Sequence, residues 1–400
     1  MAPATQVSSP TVARSSGNVD DGQSRPVSST RSDVEPSCSP GQEHRLDTDV
    51  TVALSRLIRP TESEIVSARR KLHLKAVVIG VVAVSSYSML VFASVGVALR
   101  VFSAVVLVFA VIAIATGVMH DANHGAFSRS KRINRTAGYT LDLLGGSSWL
   151  WRIKHNTLHH ANTNVVGLDT DIDQAPFARM APQQQWRPWH RYQHIYVWFL
   201  YGLMTLRWFL IGDFVALARN RVGTQTLSDS GRGRHVVGLF AGKTVHLGLA
   251  IIIPLALHPW WAVLAFYLAM SGSVGVLLAV MFQLAHCVEQ AAFVTSNDHV
   301  RGRHFADHQL RTTLDVQCRV PGVRRVVQFM MGGLDYQIEH HLAPGMPHTI
   351  YPQLARRVRA ECDARGLPYQ CHHSLTAALQ SHARWLKHMG TPPSPMAIGP

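Results

Sequence analysis

The chain has 400 residues, 47% of them hydrophobic, and a formal net charge of +14. Its basic residues flank apolar segments and no nucleic-acid-binding motif accompanies them, which argues against nucleic-acid binding; membrane topology, anionic lipid, CoA phosphates or an acidic electron carrier account for the charge. Five scattered cysteines (Cys38, Cys287, Cys318, Cys362, Cys371) without a CxxC pair exclude an iron–sulfur cluster and predict free thiols.

Residues 1–50 are rich in Ser, Pro and Thr and almost free of large apolar side chains. They cannot bury enough surface to offset their ordering entropy and are expected to be disordered. They also lack the apolar run of a signal peptide. Residues 51–389 are expected to form one domain, followed by a flexible tail over 390–400. From 76 to 119 the chain is apolar apart from Arg100. That length makes about 66 Å of helix, or two bilayer crossings (76–99 and 101–119) with a tight turn at Arg100. A stretch over 195–211 carries Arg207 and two tryptophans and reads as an interfacial helix, with a fifth span as the alternative. A second pair of crossings covers 236–257 and 260–284, joined at His258, Pro259 and Trp260. Lys243 and His246 interrupt the third crossing; Lys243, near its start, can snorkel. The expected fold is an all-α integral membrane protein: four transmembrane helices under a helical cap. Arg and Lys crowd 125–191 and 301–325, so the positive-inside rule puts the termini and the cap in the cytosol.

Three histidine clusters stand out: HDANH (His120, His124), HNTLHH (His155, His159, His160) and QIEHH (Gln337, His340, His341). Residues three or four apart share a helix face, so each cluster can aim its imidazoles at one spot. Seven histidines without nearby thiols suit a borderline metal such as iron or zinc and exceed one tetrahedral site, so two metals are expected. His286 ends the fourth crossing at the same depth as His120, and all these histidines fall on the predicted cytosolic side. The pairs His190/His194, His304/His308 and His372/His373, together with His348, His382 and His388, read as ordinary histidines, and His258 as structural in the far turn.

The text around the clusters, HDANHGAFS, WRIKHNTLHHANTN, FQLAHCVE, DHQLRTT and GGLDYQIEHHLAPGMP, resembles the membrane fatty acid desaturase family over residues 76–354. Gln337 opening the third box is similar to the front-end (delta-5 and delta-6) branch and to linoleoyl-CoA-type enzymes. No HPGG heme motif of a fused cytochrome b5 domain occurs. The resemblance implies an O2-dependent desaturase of an acyl-CoA or acyl-lipid. Two iron ions would be held by His120, His124, His155, His159, His160, His286, His340 and His341, with Gln337 weakly or through water. Four residues before His286, where stearoyl-CoA-type enzymes carry a water-bridging Asn, this chain has Phe282, with Gln283 next. Electrons would come from a separate donor, a ferredoxin or cytochrome b5 type with its reductase. Asp121, Glu339, Asp169, Asp171 and Asp173 could accept hydrogen bonds from ligand imidazoles, with Asn162 and Asn164 as weaker candidates. A solvated acidic loop is the plain alternative for 169–173. Arg152 and Lys154 could grip a substrate head group, although topological charge explains them equally.

Removing hydrogens from unactivated methylenes is beyond any amino-acid side chain, which is why a metal centre and O2 are expected. The nearest rival is a membrane hydroxylase or ketolase using the same ligands, since the histidines do not separate the two. A metal transporter would place ligands at mid-bilayer, a heme carrier would need a histidine on each of two spans, and a zinc protease would need HExxH.

Overall fold

The computed structural model describes residues 52–54, 56, 58–295, 305–317 and 321–393. The expected disordered segment 1–50 and residues 394–400 of the tail lie outside them. Helix α1 (Glu62–Val91) starts well before residue 76. Thr61 forms a capping box with Glu64, which satisfies the first orphan amides and sets the start. The first break falls at 92–96, not at Arg100. Gly96 caps α2 (Val97–Ile114), and Arg100 sits in its first turn, donating back to the carbonyls of Val95 (3.2 Å) and Ala93 (3.5 Å). The guanidinium closes the turn from outside, so the charge marks its edge and not its middle.

Below α2 the helix widens into a π-helical turn, Ala115–Met119, before His120–Asn123. The 195–211 stretch is two helical pieces: α3 (Gln193–Gly202) and a segment from Met204 to Ala218, bent by 57° at Leu203. Helix α4 (Arg232–Leu247) continues through a π turn to Leu255, and α5 runs from Trp260 to His286. Among the described residues four helices are long and apolar enough to cross a membrane, or five if the bent pair counts as one span. Their outer faces expose Val81, Val84, Phe102, Phe240 and Trp261. Such a belt suits a membrane protein, because lipid and not water is the solvent in which it is stable.

The cap consists of short helices and small two-stranded sheets. Asp315–Val316 pairs in parallel with Cys371–His372, and Val165–Val166 with Val294–Thr295. It includes α6 (Phe305–Thr312), α7 (Gln337–Leu342), α8 (Tyr351–Arg365) and α9 (Leu375–Met389). Gly390 is anchored, its carbonyl accepting from Trp186 Nε1 at 2.9 Å, so the chain is fixed one residue into the expected flexible tail. Cys287, Cys362 and Cys371 are free thiols. The core joining cap to spans packs Ile112, Ala115 and Met119 against Val274 and Leu278 of α5 and Leu141 and Trp151 of the cap.

Two contacts lock the cap down. Gly332 has φ +59°, and a Cβ there would meet the Thr116 backbone at 2.5 Å. Gly332→Ala is therefore expected to cut the yield of monodisperse protein sharply on size exclusion. Lys243 lies 2.8 Å from Asp213 and donates to the carbonyls of Gly145, Phe209 and Trp208 at 3.0, 3.0 and 3.3 Å. It is 6% exposed, so it anchors inside the protein and does not snorkel. Lys243→Met would strand a buried carboxylate; a loss of about 3–5 kcal/mol is expected, seen as a lower melting temperature in detergent.

Candidate metal centre

Each histidine segment owes its aim to a local helix feature. HDANH leaves the π turn at Ala115–Met119, so α2 delivers His120 and His124 at its very end. HNTLHH lies on a second π-helix, Ile153–His159, in which His160 N–H bonds to His155 C=O at 3.0 Å, an i→i+5 contact. His155, His159 and His160 are spaced by four and five residues. An ordinary α-helix would swing the last of them off the face; the wider turn keeps all three together. QIEHH occupies α7, and His286 is the last residue of α5.

The eight histidines form two adjoining groups. The ligand nitrogens of His120, His124, His155 and His340 lie within 4.8 Å of one another, as do those of His159, His286 and His341. His160 joins His340 and His341 in a third such set, linking the two. The donor set fits metal ions. Nε2 of His120, His124, His340 and His341 is buried without a hydrogen-bond partner. Orphaned buried polar atoms cost about 1–3 kcal/mol each, and metal ions would satisfy them. Four of the eight rings are fixed through Nδ1. His159 Nδ1 donates to Asp169 (3.0 and 3.1 Å), His341 Nδ1 to Gln309 Oε1 (2.9 Å) and His286 Nδ1 to the Thr312 carbonyl (3.3 Å), while His340 Nδ1 lies 3.3 Å from the Tyr351 hydroxyl. A proton held on Nδ1 leaves the Nε2 lone pair free for a metal.

Electrostatics agree. Burial holds His155 down at about 3, and burial with neighbouring imidazoles keeps His124, His160, His340 and His341 well below the usual imidazole value. These rings are neutral and ready to ligate. For His159 burial also disfavours charge, but Asp169 and Asp171 overcome it and raise the value. For Asp171 burial acts upward, while Lys154 and His159 prevail and hold it well below the ordinary carboxylate range. Asp171 Oδ1 is 2.8 Å from Lys154 Nζ; its Oδ2 is 3.8 Å from His155 Nδ1 and 3.7 Å from His159 Nδ1. One carboxylate thus braces a ring in each group.

The other expected supporting residues divide. Asp121 lies 3.9 Å from His120 Nδ1 and accepts from the backbone and Nδ1 of His348 at 2.9 and 3.0 Å. Two expectations are corrected. Glu339 turns away from the ligands and accepts from the Tyr369 hydroxyl at 3.1 Å, because alternate faces of a short helix cannot both meet the metals. Asp173 is exposed and accepts from Ala175 N. Asn162 caps its own helix at Leu158 O, and Asn164 ties together the carbonyls of His286, Ala292 and Thr312. Arg152 and Lys154 do not act together: Arg152 donates to Asn123 Oδ1 at 2.9 Å, whereas Lys154 pairs with Asp171. Among the described residues, His190, His194, His258, His308, His348, His372, His373, His382 and His388 join no metal-capable group; His304 lies outside them.

Sequence reasoning passed over His348, Gln309, Thr163 and Trp151. The Trp151 ring lies 4.4–5.7 Å from the rings of His120, His124 and His155, walling the first group. The DHQLRTT and PGMP strings held a signal for Gln309 and for His348 just beyond, though not for their partners.

Gln337 and Gln283 line a small cavity of about 10 Å³ beside His155, His159, His286 and His340, at the lower limit for one water. Phe282 lines this cavity too, and also a far larger one of about 630 Å³ among α1, α2, α4 and α5. The large cavity is walled by groups such as Leu107, Val111, Val274 and Leu278 and reaches from Met119 to Arg100 and His258, about 28 Å along α2.

The sequence profile of the fatty acid desaturase family matches residues 64–373. The chain belongs to the fatty acid desaturase family. As a member it is an oxidoreductase that desaturates fatty acyl chains, and its histidine cluster is consistent with a metal centre. Among similar proteins are the sn-1 linoleoyl-lipid 6-desaturases of Arthrospira platensis (32% identical, 84% of this chain and 91% of the relative) and Synechocystis sp. (32%, 80% and 88%). The acyl-lipid (8-3)-desaturase of Physcomitrium patens is 33% identical over 76% of this chain and 64% of its own length, so this desaturase spans slightly under two thirds of that relative.

Proposed function

We propose that this desaturase acts on an acyl chain carried by a membrane lipid, inserting a double bond on the carboxyl side of unsaturation already present. The carrying observation is that eight histidines, five of them with a buried nitrogen that has no hydrogen-bond partner, meet beside a long apolar cavity. The two linoleoyl-lipid 6-desaturases, matched over most of their length, support the lipid carrier and the region of attack.

His120, His124, His155 and His340 would hold one iron, and His159, His286 and His341 the other, with His160 between them and Gln337 contributing weakly or through water. When bound, the irons use O2, two electrons and two protons to remove two hydrogens from neighbouring methylenes, releasing two waters. The chain's own part is to bury the ligand rings, to brace them through Asp169, Asp171 and Gln309, and to hold the tail in an apolar cavity. Electrons come from a separate ferredoxin or cytochrome b5 type protein. Four spans, with the termini and metal centre on the cytosolic side, follow from the positive-inside rule.

Expression in a host containing linoleoyl lipids, with gas chromatography and mass spectrometry of its fatty acids, tests the reading. A new double bond between the carboxyl end and the existing ones supports it. A new hydroxyl or keto group moves the assignment to a hydroxylase.

A further inference from the structure

Among the described residues Phe282 alone lines both the small cavity beside the histidines and the large apolar cavity. Its place follows from helix geometry. Phe282 and His286 are four residues apart on α5, so the two side chains leave the same face of the helix one turn apart. On its far side the ring packs with the core of Ile112, Ala115, Met119, Val274 and Leu278. The neighbouring Gln283 turns into the metal-side cavity, where its amide donates to Asp171 O at 3.4 Å and its Oε1 is buried without a partner. The Phe282 ring therefore stands between the large cavity and the space beside the histidines. The passage has no other aromatic shared between the two spaces.

We propose that Phe282 is the specificity-determining residue for double-bond position: its ring is the corner around which the acyl chain bends, and it fixes which methylene pair faces the metal centre. The inference rests on the reading that the large cavity holds the acyl tail. The chemistry suits the role. Adjacent methylenes are alike in strength and polarity, so only a rigid steric wall can choose between them. Apolar contact discriminates one methylene step by about 1–3 kcal/mol, or 10–200-fold. A phenyl ring packed against this core is stiff enough to hold that register.

The test uses the full-length chain in membranes with linoleoyl lipids, reading double-bond position by mass spectrometry and iron content in parallel. Phe282→Ala should retain iron yet spread the product over neighbouring positions, with the preference for the parent position falling about tenfold; Phe282→Leu should fall between. If Phe282→Ala does not fold, Phe282→Val carries the same reading. A single unchanged isomer from an iron-loaded Ala or Val variant overturns the proposal. Val111→Phe, about 12 Å from Met119 along α2, tests the underlying reading separately: it should reduce turnover of long tails relative to short ones. An unchanged tail-length profile in Val111→Phe removes the acyl-cavity reading itself, and the proposal with it.

Discussion

His340→Ala should reduce double-bond formation to background and lower bound iron, measured by product analysis and by metal content of purified protein. His340 is the histidine shared by the first group and by the set that includes His160 and His341. Its Nε2 is buried and unpartnered and its Nδ1 rests 3.3 Å from the Tyr351 hydroxyl. Removing it takes a ligand from one metal and disturbs the other, and the methyl group left behind cannot anchor a replacement water. His348→Ala is the informative contrast. That ring is buried at 4% exposure and held by Asp121, yet lies outside every metal-capable group. It should keep most of its iron. Full iron in His340→Ala would contradict the ligand assignment.

Asp171→Ala is the second large effect. This carboxylate neutralises Lys154 and reaches His155 and His159, one ring from each group. Supporting carboxylates of this kind are worth about 10–100-fold in metal affinity or activity. A single change that touches both groups should sit at the upper end of that range. Asp171→Asn should lose less, because the amide oxygen still accepts from Lys154 while the negative charge is gone. Iron titration of the two variants separates the charge from the contact. Equal losses would mean that the hydrogen bond to Lys154 contributes nothing.

The site was more legible in the sequence than the path of the chain around it. Histidine spacing is a local property, so His120, His124, His155, His159, His160, His340 and His341 could be picked out directly, and His286 by its depth. What supports them is not local. Thr163 contacts His341 across 178 residues and Gln309 across 146, and no periodicity announces such pairs. The helix boundaries were blurred for a different reason. The apolar run begins at Ala76, but Thr61 and Glu64 cap the helix well before it, ahead of Arg69, Arg70, Lys71 and Lys75. Arg100 looked like a turn because a charge in an apolar stretch usually is one. Its long side chain reaches back to the turn instead. Asp173 and Glu339 were selected for composition, and burial and direction decide such residues.

The π-helical turns beside the histidines, Ala115–Met119 and Ile153–His159, bear on how this protein can change over time. Each is a place where one residue more than an α-helix needs has been accommodated. Deleting one residue between His155 and His159 would leave spacings of three and four, which an ordinary α-helix keeps on one face, whereas deleting two would take the histidines off it. Substitutions on the outer faces of the spans leave that register intact. Descendants of this chain can therefore drift freely in composition along the membrane-facing surface, while the second box can lose the one extra residue of its π turn but no more. A library of one- and two-residue deletions between His155 and His159, selected for function, should return survivors only among the single deletions.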